Sequence, residues 1–233
     1  MKILGLEKMS LVDFDGYVSA TLFTGGCNFK CGFCHNSPLV SHYNNLPEIP
    51  REEVLAYLKK RQGILDGVCV SGGEPTLNKD LPQFIEKIKN LGYKVKLDTN
   101  GTNPDMVKLL FDAGLVDYFA MDIKNDKQSY AKIIGFDEFD TINVEKTIEF
   151  FLSNPVDYEF RTTLVKQFHN KENIINIGEW IKGANKYFLQ KFKENPNCIE
   201  QGFSPIDEQE AIEFKSILEK SIKNVKLRGY WYG

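Results

Sequence analysis

Cys27, Cys31 and Cys34 stand in the run Thr24-Gly25-Gly26-Cys27-Asn28-Phe29-Lys30-Cys31-Gly32-Phe33-Cys34-His35, a C-x₃-C-x₂-C spacing. Three thiolates on one short loop can each hold one iron of a four-iron cluster, leaving the fourth iron without a protein ligand. An iron with an open position can bind and activate an exogenous molecule, as catalytic metal centres do and closed structural ones do not. The plainer reading of clustered cysteines is a zinc site. Zinc usually takes four closed ligands in two pairs, and the chain offers no second C-x₂-C. His35, His42 and His169 keep a mixed site open on spacing alone. Cys69 sits in the apolar run Gly67-Val68-Cys69-Val70 and reads as a buried strand residue, whereas Cys198 lies in a polar segment as a remote candidate for a fourth ligand.

Four further segments carry polar groups that call for an explanation. Ser71-Gly72-Gly73-Glu74-Pro75 follows an apolar run. Two glycines there mark a turn, or let the backbone come close to a ligand, with Glu74 orienting the loop or accepting from a bound ammonium. Asp98 in Leu97-Asp98-Thr99-Asn100-Gly101 and Asp122 in Met121-Asp122-Ile123-Lys124 are carboxylates at the ends of strand-like runs. Their bland reading is helix capping or lysine pairing, and Lys124 is an available partner. Arg161 in Phe160-Arg161-Thr162-Thr163 alternates with apolar neighbours, so it points to one face of a strand. Inside a core a charged side chain needs a partner; the alternative is a salt bridge on an exposed strand face.

These residues need a frame. Apolar, β-rich runs at 17–24, 66–71, 93–98, 117–123, 157–165 and 185–191 alternate with helical patterns. Pro50 opens one helix with Val54, Leu55 and Leu58 on one face. Asp80 caps another, with Pro82 in its first turn, Phe84, Ile85 and Ile88 inward and Gly92 at its end. Asn103-Pro104 starts a third, which Gly114 closes. Segments 143–153 and 171–182 read as two more, and Ser204-Pro205 starts a last one with Ile212, Phe214, Ile217 and Leu218 as its stripe. Strand–helix alternation repeated about six times implies an α/β fold with a parallel sheet. In such folds function gathers at the carboxyl ends of strands, where the cysteine run, Gly72-Gly73-Glu74, Asp98-Thr99-Asn100 and Asp122-Ile123-Lys124 fall.

The cysteine run, followed in order by Gly72-Gly73-Glu74, Asp98-Thr99-Asn100 and Asp122-Ile123-Lys124, resembles the radical SAM superfamily. Within it the chain looks like the activases of glycyl radical enzymes, nearest to those of anaerobic ribonucleoside-triphosphate reductase and then to pyruvate formate-lyase activators. The resemblance spans roughly residues 3 to 190 by motif order; the final segment matches less clearly. It implies a partial (β/α)₆ TIM-like barrel of the radical SAM type, in a single domain over residues 1–233. It implies a [4Fe-4S] cluster on Cys27, Cys31 and Cys34, with S-adenosylmethionine on the open iron. Phe33 would lie near the adenine, Gly72, Gly73 and Glu74 by the methionine ammonium, and Asp98 and Thr99 near the ribose and methionine. Asp122 and Lys124 would line the reaction pocket as catalytic residues, and Arg161 would meet the methionine carboxylate. In some activases the region of these aspartates also binds a monovalent cation.

The resemblance further implies that a reduced cluster cleaves the sulfonium, and that the resulting 5′-deoxyadenosyl radical takes a hydrogen atom from a glycine of a partner glycyl radical enzyme. No second C-x₂-C-x₂-C-x₃-C-P set is present, so an external flavodoxin or ferredoxin supplies the electron. Pyruvate formate-lyase activators carry a histidine after the sixth strand; here Leu189-Gln190-Lys191-Phe192-Lys193 has none, which favours the reductase branch. The competing enzyme is a radical SAM protein acting on a small molecule, such as a deazaguanine synthase. An iron–sulfur electron carrier or a zinc-stabilised binding protein would leave the strand-end motifs without a purpose.

Composition bounds the rest. Hydrophobic residues at 42%, charged residues at 26% and a net charge of −3 describe an ordinary water-soluble chain with no basic field for nucleic acid. Ile3-Leu4-Gly5-Leu6 is too short for a signal core or a membrane span, so a cytoplasmic location is expected. The ending Arg228-Gly229-Tyr230-Trp231-Tyr232-Gly233 reads as a terminal strand from Val225 with an aromatic tail, a surface for a partner. His169 reads as a solvated loop residue.

Overall fold

The computed structural model describes residues 1–230. Its strands are β1 Ile3–Ser10, β2 Ser19–Thr24, β3 Gly67–Gly72, β4 Lys94–Thr99, β5 Tyr118–Asp122, β6 Tyr158–Leu164, β7 Tyr187–Lys191 and β8 Val225–Arg228. Between them lie helices α1 Ser37–Ser41, α2 Arg51–Lys60, α3 Leu81–Asn90, α4 Pro104–Asp112, α5 Tyr130–Ile133, α6 Ile142–Ser153, α7 Lys171–Trp180 and α8 Glu208–Leu218. The chain forms two compact units. Met1–Asn28 and Asn36–Ala120 make the first; Phe29–His35 and the described residues from Met121 on make the second.

In the first unit β2, β3 and β4 pair in parallel, Val68 standing opposite Ala20 and Val95. This is the α/β arrangement that the strand–helix alternation implies. Ala20, Leu22, Val68, Val70, Val95 and Leu97 are fully buried, as in strands covered on both faces. α3 buries Leu81, Phe84, Ile85 and Ile88, the i, i+3, i+4, i+7 stripe of an amphipathic helix. Each such side chain contributes roughly 1.5–3 kcal/mol of burial. Asp80 precedes that helix without a side-chain capping bond; its carboxylate instead holds the Met1 ammonium at 2.9 Å and Arg51. β1 pairs antiparallel with β2 and was not among the expected strands. Its sequence lacks the usual signal because only Ile3 and Ser10, at its two ends, are buried. Gly5 fits there since a Cβ would press on the Phe23 ring at 3.1 Å.

In the second unit β6, β7 and β8 run parallel, with Leu189 of β7 opposite Thr162 and Leu227. Thr162 donates from Oγ1 to the Ile123 carbonyl at 2.5 Å and so accepts from the Tyr187 hydroxyl at 2.6 Å. That buried relay ties the residue after β5 to β6 and β7. Arg228 forks onto the buried Glu159 carboxylate at 2.7 and 3.0 Å. The last helix begins at Glu208, capped by Asp207, and not at Ser204-Pro205. Pro205 instead bridges to Val165, leaving Ala211, Phe214 and Leu218 as the buried stripe. β8 matches the expected terminal strand. Tyr230 is buried, its hydroxyl donating to the Ile206 carbonyl at 3.3 Å, so it adds nothing to an exposed tail. Trp231, Tyr232 and Gly233 lie outside the described residues. Among the described residues no helix is long and apolar enough to cross a membrane.

Candidate active site

In the first unit the loops after β2, β3 and β4 are laced together at the carboxyl ends of three parallel strands. Gly73 donates its N–H to the Thr24 carbonyl at 2.9 Å, and Glu74 donates its N–H to the Gly26 carbonyl at 2.8 Å. This contact explains the two glycines. A Cβ at Gly73 would stand 2.0 Å from the Gly26 oxygen, and one at Gly72, where φ is +119°, 2.3 Å from the Thr24 nitrogen. The close approach is therefore to the backbone that leads into Cys27. Asn36 reinforces it by donating to the Gly72 carbonyl at 3.1 Å.

Glu74 is 1% exposed and accepts four hydrogen bonds. Oε1 receives the Thr76 N–H at 3.1 Å, the Thr76 hydroxyl at 2.6 Å and the Thr99 hydroxyl at 2.8 Å; Oε2 receives the Asn100 N–H at 2.6 Å. Burial pushes its carboxyl up from the ordinary value, while these donors pull the other way. Each of its oxygens faces a backbone N–H, which can only donate, so the group is a carboxylate that latches the β3 loop to the end of β4. Asn100 carries the lacing to the cysteine run, donating to Asn28 Oδ1 at 2.8 Å. Asp98 receives the Ser71 hydroxyl at 3.0 Å and faces the Lys96 ammonium at 3.5 Å. Lysine pairing thus accounts for Asp98, through a buried lysine that sequence reasoning overlooked.

In the second unit Asp122, at the end of β5, stands between two cations. Arg161 Nε donates to Oδ1 at 2.8 Å and Lys124 Nζ to Oδ2 at 2.9 Å. The partner that Arg161 requires is an inward-facing carboxylate; its side chain is only 11% exposed, so the exposed strand face is excluded. Burial would raise the Asp122 carboxyl, but Arg161 and Lys124 outweigh it and hold it down to about 2. Lys124 loses ground to burial and regains more from Asp122, so its ammonium is held above the ordinary lysine value. Burial likewise pushes the Cys31 thiol up to about 11 against the pull of Lys124. His169 is buried, in contrast to the solvated loop residue expected. Nδ1 accepts the Val165 N–H at 3.0 Å and Nε2 lies 2.9 Å from the Lys124 carbonyl, which makes Nε2–H the donor. Burial pushes its pKa down, so this tautomer is neutral.

The segment Phe29–His35 packs into the same unit. Lys30 donates its N–H to the Ile134 carbonyl at 2.9 Å, and the Glu200 N–H reaches the Gly32 carbonyl at 2.8 Å. Phe33 joins an aromatic cluster with Phe168 and Phe192, ring centroids 6.1 and 6.3 Å away, so packing accounts for its burial. Cys198, in its polar segment, is buried with its thiol 3.7 Å from the Phe33 carbonyl. Glu200 and Phe203 carried no sequence signal because their partner, Gly32, is far away along the chain.

Cys27, Cys31 and Cys34 are free of disulfides. Among the described residues no three His, Cys, Asp or Glu side chains gather as they would around one metal ion. A four-iron cluster asks for something else, one thiolate on each of three separate irons, and an all-sulfur donor set is the chemistry it takes.

The sequence profile of the Radical SAM superfamily matches residues 21–180, from β2 to the end of α7. The chain belongs to the Radical SAM superfamily. Membership implies a [4Fe-4S] cluster and S-adenosylmethionine. A relative from Methanocaldococcus jannaschii, named provisionally as a glycyl-radical enzyme activating enzyme, is 31% identical over 97% of this chain and 95% of its own length. A protein of Saccharolobus islandicus, named provisionally as a GTP 3′,8-cyclase, is 32% identical over 50% of this chain and 38% of its own. Among solved structures, Streptococcus suis SuiB superposes with a TM-score of 0.70 at 15% identity, over 90% of this chain and 48% of that one. That likeness bears on the fold, the α/β fold of radical SAM proteins.

Proposed function

We propose that this Radical SAM enzyme activates a partner glycyl radical enzyme, with anaerobic ribonucleoside-triphosphate reductase as the partner class. The observation that carries the reading is the 31% identity, over nearly all of both chains, to a relative named as such an activator. When bound, the cluster and cofactor would supply the one-electron chemistry by which a hydrogen atom is taken from a glycine. Cys27, Cys31 and Cys34 would hold three irons through their thiolates, Cys31 being deprotonated as a ligand. The Glu74 latch fixes the Gly72-Gly73 backbone and Thr99 as a rigid cradle for the methionine and ribose ends, with Asp98 beside them. Phe33 supplies an apolar ring for the adenine. Asp122, Lys124 and Arg161 keep two cations and one carboxylate in fixed geometry, the guanidinium suited to a methionine carboxylate. A monovalent cation near the two aspartates, an electron from a flavodoxin or ferredoxin, and a cytoplasmic location belong to the same proposal.

The test is electron paramagnetic resonance after anaerobic incubation of the reconstituted protein with dithionite, S-adenosylmethionine and a candidate reductase. A glycine-centred doublet supports the activase. The half-length similarity to a named GTP cyclase favours a small-molecule substrate as the second reading. Cofactor consumption with no doublet, alongside conversion of a small molecule, would establish that reading instead.

A further inference from the structure

The loop after β7 carries no apolar run, yet residues 194–204 form a closed strap held by polar bonds. Gly202 and Phe203 both donate their N–H groups to Glu194 Oε1, at 2.5 and 3.1 Å. Gly202 has φ +94°, a left-handed turn that lets two successive N–H groups converge on one anion. Within the loop the Cys198 N–H reaches the Asn195 carbonyl at 3.1 Å, and Gln201 Nε2 donates to the carbonyls of Asn195 and Cys198 at 3.1 and 3.3 Å. The far end is tied to the loop after β6, where Gln167 accepts the Ser204 N–H and donates to the Gly202 carbonyl, both at 3.1 Å. Phe203 packs on Phe168 and Phe192, with ring centroids 5.3 and 6.4 Å away.

The inward groups of the strap meet the cysteine run. The Glu200 N–H donates to the Gly32 carbonyl at 2.8 Å, and the Cys198 thiol to the Phe33 carbonyl at 3.7 Å. The Glu200 and Phe203 side chains lie close over Gly32, where a Cβ would stand 2.9 and 3.0 Å from them. The Phe33 carbonyl carbon is bonded to the Cys34 nitrogen, whose N–H donates to the Cys31 carbonyl at 3.0 Å. Both ends of the peptide unit that carries Cys34 are therefore held, one from the strap and one from Cys31. Glu200, Gln201 and Gly202 are exposed. Ordering such a loop costs backbone entropy that its own burial does little to offset, so its order calls for a use.

We propose that residues 194–204 set the geometry of Cys31 and Cys34 before iron arrives, with Glu194 as the positioning residue that clasps the strap. Cys198 acts there as a donor to the peptide and not as a fourth iron ligand. The strap takes no part in bond making. The inference rests on Cys31 and Cys34 being iron ligands, and is independent of which partner or substrate the enzyme serves.

The experiment compares wild type, Glu194→Ala and Glu194→Gln, all distant from the cysteines in sequence. Amide hydrogen exchange of the iron-free proteins is read by nuclear magnetic resonance at Glu200 and Cys34. Both amides are expected to be protected in the wild type. In Glu194→Ala they exchange about tenfold faster, the order of one lost hydrogen bond to a charged group. Glu194→Gln behaves as wild type, because a single oxygen accepts both N–H groups. After anaerobic reconstitution, release of iron to excess chelator speeds up by a similar factor in the Ala variant alone. Cys198→Ala still assembles a four-iron cluster. An unprotected Glu200 amide in the iron-free wild type, an Ala variant indistinguishable from wild type, or a Gln variant as impaired as the Ala one would each overturn the proposal. So would a Cys198→Ala protein that melts with the wild type but takes up no four-iron cluster. Normal loading of Cys31→Ala, run in parallel, would instead sink the ligand reading; the exchange data need no iron and so keep the two failures apart.

Discussion

Replacing Glu74 with Gln isolates the latch at the ends of β3 and β4. The change is isosteric, so it opens no cavity. If the amide oxygen takes the Oε1 position, the bonds from Thr76 and Thr99 survive, but the NH₂ group then faces the Asn100 N–H, which now lies 2.6 Å from Oε2. The opposite rotamer keeps the Asn100 bond and sets the NH₂ against three donors. The first is therefore preferred. It forfeits one charge-assisted bond, worth about 1.5–3 kcal/mol, and strands a buried backbone N–H at about 1–3 kcal/mol. Partial overlap of these two leaves a loss of about 3–5 kcal/mol. For a chain of this size that lowers the melting temperature by roughly 6–20 °C. The assay is anaerobic thermal unfolding, before cluster loading, of wild type and Glu74→Gln. A variant as stable as wild type that nevertheless fails to bind S-adenosylmethionine would refute the latch and assign the carboxylate to ligand contact.

Four further outcomes are expected. Gly73→Ala drives a methyl group onto the Gly26 backbone and displaces the entry to Cys27, so iron bound per chain falls after reconstitution. Gly92→Ala, at φ +88° with nothing within 4 Å, loses only about 1–2 kcal/mol and keeps its iron. His169 takes a proton near pH 6.5 when unfolded and only at lower pH when folded, so the unfolded chain binds more protons as pH falls. Stability therefore declines below pH 6.5, and His169→Gln flattens that decline, as read from melting temperature between pH 7 and 5. Asp122→Asn removes the charge that Lys124 and Arg161 share and costs about 3–5 kcal/mol; in a Lys124→Met background it costs less, a coupling that denaturation of the four proteins measures.

The sequence carried the strand-end motifs because each sits where an apolar run stops and a loop begins, a local signal. It carried α3 and the end at Gly92 for the same reason. It identified Lys124 as an available partner for Asp122 and saw that an inward Arg161 needs a partner, but did not name Asp122 as that partner. That both cations share one carboxylate depends on the alignment of β5 with β6, which no local pattern records. β1 was missed because an edge strand buried only at its ends has no alternation. His169 was misread because burial of a loop residue is decided by what covers it, here the carbonyl of Lys124, distant in the chain. The glycine pair was anticipated as a close approach, but the neighbour is the Gly26 backbone, a contact that only folding brings about.

The most direct test of the central claim is Mössbauer spectroscopy of the ⁵⁷Fe-reconstituted protein with and without S-adenosylmethionine. The expected result is a four-iron cluster in which one iron site alone changes its parameters when the cofactor is added, as befits three thiolate-bound irons and one open iron. A spectrum with four irons unaffected by the cofactor, or with no four-iron cluster at all, would contradict it.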